Sequence, residues 1–165
     1  IRLVSAAEPL IGPQGWPASI SRSEPSPYPG IAAVVPFAAT GTDADLGRAA
    51  AHFMESRLAD SPHLRLIERS RVDEIIRELE LQRSGLVDPS TAVEMGRLLG
   101  ARLMITGSID RTGADLVISA RIIHVETGEI LGTRQVHCGQ CGADDIFDAI
   151  DLLGDALVGT RRNRP

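Results

Sequence analysis

Lysine is absent: all 17 basic side chains among the 165 residues are arginine. A chain without an ε-amino group has no Schiff-base nucleophile and no lysine to offer a P-loop. The bias itself reads as coding preference, not mechanism. Aromatic residues are scarce as well, at 3%, so the core must be built from Leu, Ile, Val and Ala. No apolar run approaches the roughly 18–20 residues of a membrane-spanning helix. Positive charge is not in excess either. A net charge of −5 and a pI of about 5.3 argue against nucleic acid as a partner, which would call for a basic face.

Catalytic signatures are missing too. The sequence holds no G-x-S-x-G, no G-x-x-x-x-G-K-[ST], no H-E-x-x-H, and no G-x-G-x-x-G after a strand. The charged run EIIRELELQR fits a solvated helix face. In HVETGE, neighbouring residues of a strand point to opposite faces and cannot act together. The residues therefore name no catalytic group, no cofactor site and no metal ligand set.

What is present is a change of character near residue 30. Residues 1–30 carry Pro9, Pro13, Pro17, Pro25, Pro27 and Pro29, with the single Trp16 and the single Tyr28. Proline at that density leaves extended chain. The segment is expected to be a linker, or an arm that wraps its own domain or a neighbour with Trp16 and Tyr28 as anchors. The chain opens on Ile, so an upstream segment such as a cleaved signal peptide is expected to have been removed.

Residues 31–160 alternate between strand and helix patterns, followed by a short basic tail, 161–165. The apolar run 31–37 reads as a buried strand. Leu46, Ala49, Ala50, Phe53, Met54 and Leu58 mark one face of a helix over 45–58. A strand at 64–69 leads to Ser70 as N-cap of a helix carrying Val72, Ile75, Ile76 and Leu79. Gly85 ends that helix, and Asp88-Pro89 opens the next, with Ala92, Val93, Met95, Leu98 and Leu99 on its apolar face and Gly100 as its stop. Strand 102–110 contains Gly107, a mark of a bulge or close backbone approach. A hairpin follows, turning at Thr127-Gly128. Pairing Glu126 with Glu129 sets Val125 opposite Ile130, His124 opposite Leu131, Arg121 opposite Arg134, and His137 opposite Ile118. Leu116, Ile118, Ala120 and Ile122 then form a face for helices, while Arg121 and Arg134 share the face left for solvent or a partner. Ile146, Phe147, Ile150, Leu153 and Leu157 stripe a last helix. The order β-α-β-α-α-β-β-β-α predicts an α/β fold with a mixed sheet of about five strands and a C-terminal antiparallel hairpin.

The two cysteines, Cys138 and Cys141, form one C-x-x-C in the stretch VHCGQCGADD. A zinc site would need further ligands, and His137 lies six strand residues from the position opposite His124, roughly 20 Å at about 3.3 Å per residue. A redox dithiol would gain from a helix N-terminus, but Asp144 and Asp145 oppose thiolate formation. The plainest reading is a structural disulfide closing the strand-to-helix loop, which requires an oxidising compartment.

Three stretches carry a resemblance: IAAVVPFAATGTD, LRLIERSRVDEIIRELELQRSGLVDPSTAVEMGRLLGARLMITGSI, and LVISARIIHVETGEILG. In this order they resemble the CsgG/TolB-N-terminal-like domain of bacterial cell envelopes, over about residues 31–158. The family includes the curli secretion channel subunit, the activator lipoprotein of penicillin-binding proteins and a flagellar ring component. The resemblance implies a non-catalytic, extracytoplasmic α/β domain that works by assembly with envelope proteins, including copies of itself in a ring. It also implies that Gly85, Gly96, Gly100, Gly107 and Gly128 serve backbone shape. The C-x-x-C and the proline-rich arm lie outside the pattern, as do the long membrane hairpins of a pore. The expected docking surfaces are the sheet edge beside strand 102–110, the face of Arg121 and Arg134, and the arm. Two other functions stay open from the residues: an envelope thiol-disulfide protein using Cys138 and Cys141, and a sensor domain holding a small ligand between sheet and helices.

Overall fold

A computed structural model describes residues 2–4, 9–11, 28–79 and 89–158. Its elements are β1 (Arg2–Val4), β2 (Pro9–Ile11), β3 (Gly30–Val34), β4 (Ala38–Thr40), α1 (Ala44–Leu58), β5 (Leu64–Leu66), α2 (Arg69–Glu78), α3 (Pro89–Leu99), β6 (Leu103–Thr112), β7 (Asp115–His124), β8 (Ile130–Gly139) and α4 (Ala143–Val158). They form one mixed sheet in the order β2-β1-β8-β7-β6-β3-β5, with β4 also on β6. The fold class is the expected one. The strand count is higher, at eight, for two local reasons.

The first is Pro36. The apolar run 31–37 begins as β3, parallel to β6, with Val34 opposite Ile105. Proline has no N–H for the ladder, so pairing stops there. It resumes one residue out of step as β4, with Ala38 opposite Ser108. Four residues on one side span three on the other, and the excess turns Phe37 away so that its N–H donates to the carbonyl of Gly47 in α1 (3.0 Å). The second reason is the arm. Arg2, Leu3 and Val4 pair antiparallel with His137, Val136 and Gln135 of β8, and β2 returns on β1. The proline-rich segment thus adds strands to its own domain.

Side chains alternate along each strand and meet helices on both faces. Ala32, Val34, Ile105, Leu116, Ile118, Ala120 and Ile122 face α1 and α4, packing with Met54, Leu58, Ile146, Ile150 and Leu153. Ala33, Val35, Met104 and Ile123 face α2 and α3, packing with Val72, Ile75, Ala92 and Met95. The space between the layers is filled by these side chains. Arg57 of α1 and Asp155 of α4 form a mostly buried ion pair between the two helices.

Local starts and stops follow ordinary chemistry. Asp43 caps α1 by accepting from the amide of Asp45 (2.9 Å). Gly100 ends α3 with φ +68°, and the Ala101 amide donates back to the Gly96 carbonyl (2.8 Å). Three expectations fail. Leu98 does not join the apolar face of α3, whose buried residues are Ala92, Met95 and Gly96, and it is exposed. Ser70 is not the cap of α2: the helix begins at Arg69, and the Glu68 carbonyl accepts the first-turn amides of Arg71 and Val72. Phe53 does not join the core, because the buried face of α1 runs through Gly47, Ala50, Ala51, Met54 and Leu58, one position to its side. Gly85 and Asp88 lie outside the described residues.

Candidate functional site

The hairpin of β7 and β8 carries Arg121 and Arg134, and its register differs from the expected one. Arg121 stands opposite Thr133, and Arg134 opposite Ala120. The cause is Val125. Its amide donates to the Arg102 carbonyl (2.9 Å), and its side chain, 5% exposed, packs in the core beneath α3. Room for it comes from Gly96, where a Cβ would approach a Val125 methyl to 2.4 Å. With Val125 drawn inward, the turn takes residues 125–128 instead of two. The His124 amide then bonds the Glu129 carbonyl (2.8 Å), and a bulge at Leu131 restores pairing. A shift of one residue moves a side chain to the other face. Arg134 therefore lies on the face of Ala120 and Val136, towards α1 and α4, while Arg121 lies on the opposite face. The two arginines form no shared surface.

Arg121 keeps polar company: Thr106 and Thr133 are directly across from it on β6 and β8. On the same face, the Ser108 and Ser119 hydroxyls meet at 2.9 Å, and Ser108 donates to Asp110 (2.8 Å). The expected free edge beside strand 102–110 does not exist. β6 pairs along its whole length with β7, and on its other side with β3 and then β4.

Of the arm's two proposed anchors, Trp16 lies outside the described residues. Tyr28 is half-buried against the core, and its hydroxyl donates to the Leu131 carbonyl at 2.7 Å. That carbonyl sits in the β8 bulge, so Tyr28 fastens the end of the arm to the outer long strand.

Cys138 and Cys141 pair with each other, with Cα atoms 5.7 Å apart, inside the range a disulfide spans. Cys138 is the last inward residue of β8, opposite Leu116 and 3% exposed. Between the cysteines, Gln140 takes φ +57° and donates its amide to the Ala114 carbonyl (2.9 Å). The link joins the end of β8 to the start of α4. His137 points to the opposite face from Cys138, sits opposite Val117 where Ile118 was expected, and is exposed.

Two features had no clear signal in the sequence. Glu55 of α1 meets Arg69 of α2 at 3.2 Å, and Arg69 also reaches Asp73 (3.5 Å). Burial pushes the Glu55 carboxyl above its ordinary value of 4.5, and the Arg69 guanidinium pulls against that shift. A shallow groove of about 340 Å³ lies between the end of α3 and the β7–β8 turn, lined by Arg97, Arg102, His124 and Glu126. No spacing in the sequence brings these residues together; the inward turn of Val125 does.

With this geometry in hand, residues 30–111 match the family model of the curli production assembly/transport component CsgG. Over those residues the chain is similar to the CsgG family. No curated protein matches the sequence. Solved structures share the fold at low identity. The C-terminal domain of LpoB from Salmonella enterica is 19% identical, with a TM-score of 0.53 over 67% of this chain and 83% of its own. A PelC dodecamer from Paraburkholderia phytofirmans is 16% identical, with a TM-score of 0.54 over 80% and 90%. The lipoprotein GNA1162 from Neisseria meningitidis is 14% identical, with a TM-score of 0.57 over 70% and 84%. The CsgG match spans β3 to β6 and stops before the hairpin of β7 and β8. The C-x-x-C and the arm thus fall outside the matched residues.

Proposed function

We propose that this chain is a non-catalytic assembly domain of the bacterial cell envelope, working outside the cytoplasm by binding envelope proteins and copies of itself. The family match carries the reading: residues 30–111 are similar to an assembly/transport component. A structural neighbour that is a dodecamer supports self-association as a ring, and a neighbour that is a lipoprotein supports an envelope address. The residues agree, because the buried side chains are almost all apolar and serve packing, and the mostly buried Arg57–Asp155 pair joins two helices. The Cys138–Cys141 pair fits an oxidising compartment. The thiol-disulfide alternative is weaker, since Cys138 is buried and only the half-buried Cys141 is left for a partner to reach. The sensor alternative has little room, because apolar side chains fill the space between sheet and helices.

The test is fractionation and crosslinking of a tagged full-length chain in a bacterial host. The expected result is an envelope-fraction protein with Cys138 and Cys141 oxidised, crosslinking to itself or to other envelope proteins. A monomer that stays in the cytosol with both thiols free would overturn the proposal.

A further inference from the structure

Two features lie at the surface on opposite sides of the sheet. On the α1 and α4 side, Phe53 and Phe147 stack, with ring centroids 4.1 Å apart and planes tilted by 32°. Phe53 is 38% exposed in a chain with only three Phe, one Trp and one Tyr. Asp148, the next residue on α4, is exposed beside the pair. Large aromatic side chains left at a surface are what interfaces use as anchors.

On the α3 side lies the groove of Arg97, Arg102, His124 and Glu126, with Gly100, Ala101 and Val125 as its apolar part. Leu98, adjacent to Arg97, is 49% exposed. Arg48, Arg57, Arg69 and Arg71 each hold a carboxylate. Arg97 and Arg102 make no side-chain hydrogen bond or ion pair among the described residues. In a protein of net charge −5, two unpaired guanidinium groups against the one carboxylate of Glu126 leave this groove net positive.

We propose that these are the two halves of one head-to-tail interface. The Phe53/Phe147 pair and Asp148 of one copy seat in the Arg97/Arg102 groove of the next. The inference deepens, and rests on, the self-association proposed above. Guanidinium groups stack on phenyl rings and pair with carboxylates, so each half supplies what the other lacks. The occupant is a second copy because the same chain carries both halves. Since they lie on opposite faces of the sheet, no twofold contact can satisfy them both. Such a contact is heterologous, and it closes into a ring or continues as a filament.

The test uses the full chain in analytical ultracentrifugation across a concentration series. The unsubstituted chain is expected to assemble beyond a dimer. Arg97→Glu with Arg102→Glu, and separately Phe53→Ala with Asp148→Ala, should each weaken self-association at least about tenfold. Circular dichroism checks that both variants fold. Mixed in equal amounts, these two variants should give a heterodimer and nothing larger, because one intact half remains on each. Combining Arg97→Glu, Arg102→Glu and Asp148→Arg in one chain should restore part of the assembly. Assembly unaffected by either variant would put the interface elsewhere and overturn this inference while leaving self-association standing. A mixture that stays monomeric would also overturn it. An unsubstituted chain that remains a monomer throughout would remove both.

Discussion

The ring of Phe37 lies directly on the backbone of Gly107: a Cβ built at Gly107 would stand 2.4 Å from the ring and 2.5 Å from the Ser119 carbonyl oxygen. The first contact could be relieved by moving a side chain. The second is with the neighbouring strand and cannot. Gly107→Ala is therefore expected to destabilise the domain by about 1–3 kcal/mol, the usual cost of overpacking. Gly132→Ala, where a Cβ meets nothing within 4 Å, should stay within about 0.5 kcal/mol. Urea unfolding of both variants checks the pair, and equal losses would refute the argument.

The contact between α1 and α4 includes the Arg57–Asp155 ion pair. Arg57 is mostly buried, and its Nε already has no hydrogen-bond partner. Removing the carboxylate with Asp155→Ala strands the rest of the guanidinium, at a cost of about 1–3 kcal/mol. Asp60, the other acid near Arg57 at 3.8 Å, is exposed, so Asp60→Ala should cost well under 1 kcal/mol, as surface pairs do. Thermal unfolding of the two variants should separate them clearly.

Reducing the disulfide should cost little. A bridge between residues three apart closes so short a loop that the chain-entropy argument gives only about 2 kcal/mol. Cys138 would remain packed opposite Leu116. Unfolding measured with and without a reductant is expected to show that modest loss with native-like circular dichroism retained. Complete unfolding on reduction would mean that the link does more than staple a loop.

Glu55 should give the stability a pH dependence of known sign. Its carboxyl is raised by burial above the ordinary 4.5. Between that value and the raised one, the folded state binds more protons than the unfolded chain. Stability therefore falls as pH rises through the window. Glu55→Gln should flatten that slope, which is read from denaturant midpoints taken across mildly acidic pH. An unchanged slope would exclude Glu55 as its source.

The register of the hairpin can be trapped. Arg121→Cys with Thr133→Cys places two thiols directly across β7 and β8 and should crosslink on mild oxidation. Arg121→Cys with Arg134→Cys puts them on opposite faces and should not. Mass spectrometry of digests distinguishes these crosslinks from the native Cys138–Cys141 pair.

The hairpin also shows where reading the sequence stops. Both of its strands, its inward face of Leu116, Ile118, Ala120 and Ile122, and the glycine at the turn were legible, because each depends on local pattern. The register was not. It is set by Val125, whose amide and side chain are held by residues of α3 and the approach to β6, about 25 positions earlier in the chain. The same limit applies to Phe53, which has the spacing of a core residue but a helix rotation that leaves it outside. The groove of Arg97, Arg102 and His124 is tertiary in origin and had no local sign. By contrast, the close approach at Gly107 could be anticipated, because a glycine inside a strand has few physical uses.

Tyr28 and the first strand also bear on solubility. β8 is ten residues long, and without its outer neighbour it would present a row of unpaired amides and carbonyls, a template for another molecule's strand. Residues 2–4 cover part of that row, and Tyr28 occupies the Leu131 carbonyl beyond it. A chain cut back to begin at Gly30 would lose both guards. It would keep its core and gain a sticky rim, so indiscriminate aggregation of such a fragment would reflect an uncovered strand, not a binding site.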